Sequence, residues 1–200
     1  MTMDIKQIYD FSDRCAVVTG GAGVLCAEMC RALASLGAKV AILDLNPANS
    51  EKLATEIREN GGTALGIACN VLDKESVQAA CDQVLEAFGK VDILINGAGG
   101  NKAQATTSAE LPFFDLPHDA LRWVFELNLL GTILPSQMFG KAMANQGQGN
   151  ILNISSMNAF RPLTRIPAYS AAKAGVSNFT QWLAVHLAQE YSANIRVNAI

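Results

Sequence analysis

The chain has 200 residues, half of them hydrophobic, enough for one well-filled domain. Its net charge of −3, with Lys and Arg dispersed, offers no basic stripe and argues against a nucleic-acid partner. No apolar run approaches the roughly eighteen residues needed to cross a bilayer, and the polar stretch 1–12 lacks the apolar core of a secretion signal. Cys15, Cys26, Cys30, Cys69 and Cys81 are odd in number and scattered, with neither C-x-x-C spacing nor nearby histidines. A reduced, cytoplasmic protein with no disulfide frame and no metal site is therefore expected.

Residues 15–19 (CAVVT) form a short β-rich run, followed at once by the glycines of positions 20–23. Apolar residues recur at helical spacing over 24–36, where Gly37 stops the helix. A second buried strand covers 39–43 and ends at Asp44; Asn49 or Ser50 can cap a polar helix that runs to Asn60. A third strand is predicted over 63–68, a helix from Asp73 to Gly89, and a fourth strand over 91–95 before the turn 97–100. Residues 101–117 read as a loop near a site. A long helix is predicted over 119–145, bent at Pro135, then strands over 151–154 and 194–200 on either side of a helix from Tyr169 to Tyr191. Strands alternating with helices of ten or more residues predict an α/β fold with a doubly wound parallel sheet in three layers. All 200 residues read as one domain. The chain stops on an apolar strand, which points to a missing C-terminal continuation.

Two features carry chemistry. Tyr169 and Lys173 are four residues apart on a predicted helix, so phenol and ammonium lie on one face, one turn apart. A cation about 4 Å from a phenolate, at an effective dielectric of about 20, is worth roughly 4 kcal/mol, which makes an acid/base pair. At the other end, strand, glycine turn and helix are followed by Asp44 at the tip of the next strand, roughly twenty residues on. Gly20, Gly21 and Gly23 let backbone approach a pyrophosphate, the helix start supplies amides, and the carboxylate suits ribose hydroxyls. The same carboxylate repels a 2′-phosphate, so NAD is favoured over NADP.

With Thr19-Gly20-Gly21-Ala22-Gly23, Asn96-Gly97-Ala98-Gly99, Asn128, Ser155-Ser156, Tyr169-x-x-x-Lys173 and Arg196-Val197-Asn198-Ala199 in order, the chain resembles the short-chain dehydrogenase/reductase family. The resemblance implies a Rossmann-like sheet, a tetrad of Asn128, Ser156, Tyr169 and Lys173, and a homo-oligomer, tetramer or dimer. Ser156 is preferred to Ser155 because the family serine stands thirteen residues before its tyrosine. Val24, Leu25, Asn70, Val71, Asn96, Ala98 and Gly99 join the implied cofactor contacts, together with Tyr169 and Lys173. Two departures stand out. The family turn T-G-x-x-x-G-x-G puts its last two glycines at Val24 and Cys26, where Cys26 should press on the first helix, and the usual N-N-A-G is N-G-A-G.

The implied reaction is reversible hydride transfer between a nicotinamide and a secondary alcohol or ketone. Arg161 and Arg165 precede the last helix, and an arginine fork suits a carboxylate. Asn101, Lys102, Ser156 and Asn158 add polar groups. The runs 97–101 and 156–165 resemble the sugar-acid branch of the family, the D-mannonate oxidoreductases (fructuronate reductases), so a small sugar acid is the expected substrate. Reductases of other carbonyls, such as 3-oxoacyl thioesters or sugar alcohols, are alternatives. So is a non-catalytic NAD-binding regulator, although such a protein has no need of both Tyr169 and Lys173.

Overall fold

The computed structural model describes residues 9–200; positions 1–8, most of the polar stretch read above, lie outside them. Strands β1 (Cys15–Thr19), β2 (Lys39–Asp44), β3 (Thr63–Ala68), β4 (Ile93–Asn96), β5 (Gly149–Asn153) and β6 (Ile195–Ala199) form one parallel sheet in the order β3-β2-β1-β4-β5-β6. The order reverses between β1 and β4, and ligands bind such open sheets outside the carboxyl ends of the strands at that point. Thr19 ends β1 level with Leu43 on one side and Asn96 on the other, so three strand tips open on one crevice.

The apolar runs of the strands are explained by burial on both faces. Val17, Ala41, Leu43, Leu94 and Ile151 point into one cluster, and Val18, Val40, Ile42 and Ile95 into the other. The second cluster is closed by α1 (Val24–Ser35) and α2 (Pro47–Glu59), through Cys30, Leu53 and Ile57. The first is closed by α3 (Lys74–Phe88), α5 (Gly131–Gln146) and α6 (Pro167–Glu190), through Val77, Val84, Phe139, Met143 and Leu183. That is the three-layer, doubly wound arrangement expected. All five cysteines are buried free thiols.

Local differences from expectation have local causes. Helix α2 starts at Pro47 rather than Asn49, because the Asn46 side chain accepts from the Ala48 amide and proline is preset for the first helical position. Helix α6 likewise starts two residues early, with proline in its first turn. The long helix of 119–145 is three pieces: α4 (His118–Phe125), a π-helical turn Glu126–Leu130, then α5. The break therefore falls at Asn128 and not at Pro135. A π-turn inside an α-helix frequently marks a functional site.

Candidate active site

The crevice begins at the glycine turn. Gly20 has φ +60°, and a Cβ there would stand 2.9 Å from the Ala98 Cα, so only glycine lets the first turn pass the fourth strand's turn. The Gly21 amide donates to the Leu43 carbonyl at 3.0 Å, and Gly23 caps α1. No acidic side chain occupies the first turn of α1, and Val24 and Leu25 are exposed there, which leaves the positive helix end open to an anion. The Asp44 carboxylate reaches the same turn, accepting from the Ala22 amide at 3.2 Å and the Asn46 amide at 3.0 Å. An open helix start beside a fixed carboxylate fits a dinucleotide with free ribose hydroxyls. Asn70 is exposed at the end of β3, its Oδ1 accepting from the Leu72 amide. The Val71 side chain is packed in the core, and Asn96 is 1 % exposed, with its amide nitrogen donating to Ser136 and Asn153.

The turn after β4 is held from three sides. The buried Thr19 Oγ1 accepts from the Gly97 amide at 3.1 Å and the Ala98 amide at 3.2 Å. Asn128 grips Gly100 in peptide fashion: its Nδ2 donates to the carbonyl at 2.7 Å and its Oδ1 accepts from the amide at 3.1 Å. A Cβ on Gly99 would lie 2.8 Å from Asn128 Oδ1 and 3.4 Å from Lys173 Nζ, so asparagine, turn and lysine meet at one point.

Lys173 is 4 % exposed, and its Nζ donates to the Ile154 carbonyl at 2.6 Å. Burial pushes its ammonium down from 10.5 to about 8, slightly offset by Cys26. The Nζ stands 5.7 Å from the centre of the Tyr169 ring, one helical turn back on α6 as the spacing predicts. The half-buried Tyr169 ring rests on Ala105, Ala120, Val124 and Ala168. The two serines part ways. Ser155 is buried, with its Oγ 2.6 Å from Ser177 Oγ and 3.4 Å from the Lys173 carbonyl. Ser156 is half-buried, and its Oγ accepts from the Asn158 amide at 3.1 Å, which leaves the hydroxyl proton to be donated outward. Lys173, Asn128 and the turn after β4 therefore meet beside the Tyr169 ring.

The residues expected at the substrate are more scattered. Arg161 and Arg165 are exposed on the stretch between Ser156 and α6, and among the described residues neither is ion-paired. The Arg165 carbonyl accepts from the Thr107 amide at 2.8 Å, which ties the two walls of the mouth together. Asn101 donates to Thr106, and the Lys102 ammonium lies over the Trp123 ring at 4.7 Å. Asn158 is 7 % exposed, and its Oδ1 has no hydrogen-bond partner among the described residues.

Comparison with known proteins decides the family. Residues 14–200 match the profile of the short chain dehydrogenases. The chain belongs to the short-chain dehydrogenase family. It is 46 % identical to an uncharacterized oxidoreductase of Haemophilus influenzae, covering 100 % of this chain and 72 % of that one. It is 38 % identical to a D-threitol dehydrogenase of Mycolicibacterium smegmatis, covering 98 % and 73 %. A Haemophilus influenza protein solved with bound NAD, and provisionally assigned as a D-mannonate oxidoreductase, superposes with a TM-score of 0.92 at 45 % identity, covering 98 % and 72 %. As a short-chain dehydrogenase the chain is an oxidoreductase acting on CH–OH groups. The Cys26 sulfur lies where Gly97 lacks a side chain. Sequence reasoning missed Thr19 and the Ile154 carbonyl as supports of the site. A hydroxyl at the last residue of β1 was the available signal for Thr19; a backbone carbonyl gives none.

Proposed function

We propose that this short-chain dehydrogenase interconverts a secondary alcohol and a ketone with NAD, on a sugar acid such as D-mannonate or D-fructuronate. The observation that carries the reaction is the convergence of Lys173, Asn128 and Gly99 beside the Tyr169 ring at the tip of β4. NAD, when bound, supplies the hydride acceptor, and its reduced form the donor. Tyr169 removes the hydroxyl proton on oxidation and returns it on reduction. Lys173 holds its ammonium beside the phenol ring, and Ser156 donates to the substrate oxygen as charge develops there. Asn128 holds Gly100, and so fixes the wall against which Lys173 lies. Gly20, Gly21, Gly23 and the α1 start at Val24 and Leu25 take the pyrophosphate, Asp44 the adenosine ribose, and Ala98 and Gly99 line the turn by their backbone. Asn70 and the Val71 backbone lie at the adenine end.

The substrate class is supported by the exposed guanidiniums of Arg161 and Arg165, ion-paired with none of the described residues, which would take a carboxylate as a fork, with Asn101 and Asn158 on its hydroxyls. NAD is supported by Asp44 and by the NAD-bound Haemophilus relative. The exposed aromatics Trp182 and Tyr191 on α6 and just past its end support a homo-oligomer, dimer or tetramer, built on that face. No helix of the described residues is long and apolar enough to cross a membrane, and the free cysteines accord with a cytoplasmic protein.

The test is a panel of the alcohols D-mannonate, D-threitol and xylitol with NAD and NADP, and of the ketones D-fructuronate and D-fructose with NADH and NADPH, followed by absorbance of the reduced nicotinamide. Sugar acids should be turned over at the higher kcat/KM, and Arg161→Ala with Arg165→Ala should erase that margin. Equal efficiency on D-fructuronate and on a neutral ketose would remove the carboxylate assignment. A margin towards D-threitol would assign the enzyme to sugar alcohols, as its Mycolicibacterium relative indicates.

A further inference from the structure

Helix α1 meets the turn after β4 through one thiol. Cys26, 5 % exposed, lies in the first turn of α1, and a Cβ built on Gly97 would fall inside the van der Waals envelope of its Sγ. The same Cβ would stand 2.9 Å from the Thr19 carbonyl. Gly97 is not among the glycines of positive φ, so space and not backbone conformation excludes a side chain there. Three residues on, the turn is gripped by Asn128 at Gly100, and at Gly99 it lies against Lys173. One end of the turn is thus set by a sulfur on the pyrophosphate-side helix, and the other touches the proposed acid/base machinery. Burial, reinforced by the Asp44 carboxylate, pushes the Cys26 thiol up, so it acts as a neutral filler and not as a nucleophile.

We propose that Cys26 and Gly97 are a matched size pair that sets the depth of the turn Gly97–Gly100 and thereby the NAD crevice. Cys26 is a positioning residue: its sulfur takes the volume that a side chain at position 97 would fill. Two of the departures from the family pattern, the lost glycine at Cys26 and the lost asparagine at Gly97, are then one reciprocal exchange. The pair couples the pyrophosphate end of the crevice to the end where Lys173 lies. This inference rests on the crevice holding NAD.

The experiment is a cycle of Cys26→Gly, Gly97→Asn and the double variant in the full chain. The NAD dissociation constant is measured by titration calorimetry and the melting temperature without NAD. Overpacking at position 97 should weaken NAD binding by about tenfold or more and lower the melting temperature, whereas Cys26→Gly alone should weaken binding only several-fold. The double variant should return to within about threefold of wild type, because the two volumes compensate. If Gly97→Asn does not fold, Gly97→Ala in wild-type and Cys26→Gly backgrounds makes the same comparison. NAD binding unchanged in the single Gly97 variant, or a double variant no better than that single, would overturn the pairing. A wild-type chain that fails to bind NAD would sink the functional proposal instead, and the NAD-free melting temperatures would then decide the pairing by the same rescue.

Discussion

Replacing Lys173 by methionine should separate function from stability in a way only a buried cation can. Burial pushes the ammonium down from 10.5 to about 8, a change worth on the order of 3 kcal/mol at about 1.4 kcal/mol per unit. The sign follows from proton counting. Between about 8 and 10.5 the unfolded chain binds the proton and the folded chain releases it, so stability rises with pH across that window. Below about 8 both states are protonated and the full penalty of a buried charge stands. Methionine fills the same space without the charge. It forfeits the hydrogen bond to Ile154, a loss of about 1–3 kcal/mol that changes little with pH, because a neutral amine also donates. Urea denaturation of both proteins at pH 7, 8, 9 and 10 cancels every group they share. Wild type should gain on Lys173→Met by up to roughly 3 kcal/mol between pH 7 and 10. A gap that stays constant would refute a depressed, desolvated Lys173.

Asp44→Ser removes the carboxylate that faces the glycine turn, so the KM ratio of NADP to NAD should fall by about tenfold or more, the cost of one charge repulsion. An unchanged ratio would mean that another group selects the cofactor. Asn153 and Thr180 are joined by a 2.8 Å hydrogen bond in a buried chain that also includes Asn96 and Ser136. Asn153→Leu and Thr180→Val should each cost about 1–3 kcal/mol by orphaning a partner, and the double variant less than their sum. Strict additivity in denaturant melts would show that the two do not act as a unit.

The sheet and the shared face of Tyr169 and Lys173 were legible because each rests on a short-range rule. Burial on both faces writes uninterrupted apolar runs into Val17–Val18 and Val40–Ile42, and one helical turn of spacing puts Tyr169 and Lys173 on one face. The two serines differ in ways the sequence does not show: Ser155 pairs with Ser177, whereas Ser156 accepts from the Asn158 amide. What the sequence hid is tertiary. Asn128 breaks a helix that Pro135 was expected to bend, because its amide is engaged with Gly100, 28 residues away in the chain. The Asn96 amide donates to Ser136 and Asn153, 40 and 57 residues away in the chain, a tie that no local motif shows. The meeting of Cys26 with Gly97, 71 residues apart in the chain, likewise shows only in space.

The central claim is that the Tyr169 hydroxyl carries the proton, with the Lys173 ammonium one helical turn along. The direct measurement is Tyr169→Phe, assayed on whichever panel substrate wild type turns over fastest, with NAD affinity measured alongside. Loss of the hydroxyl should cut kcat by about a hundredfold or more while NAD binding stays within a few-fold, as expected when only a general acid/base is removed. A variant that keeps kcat within a few-fold of wild type would contradict the account.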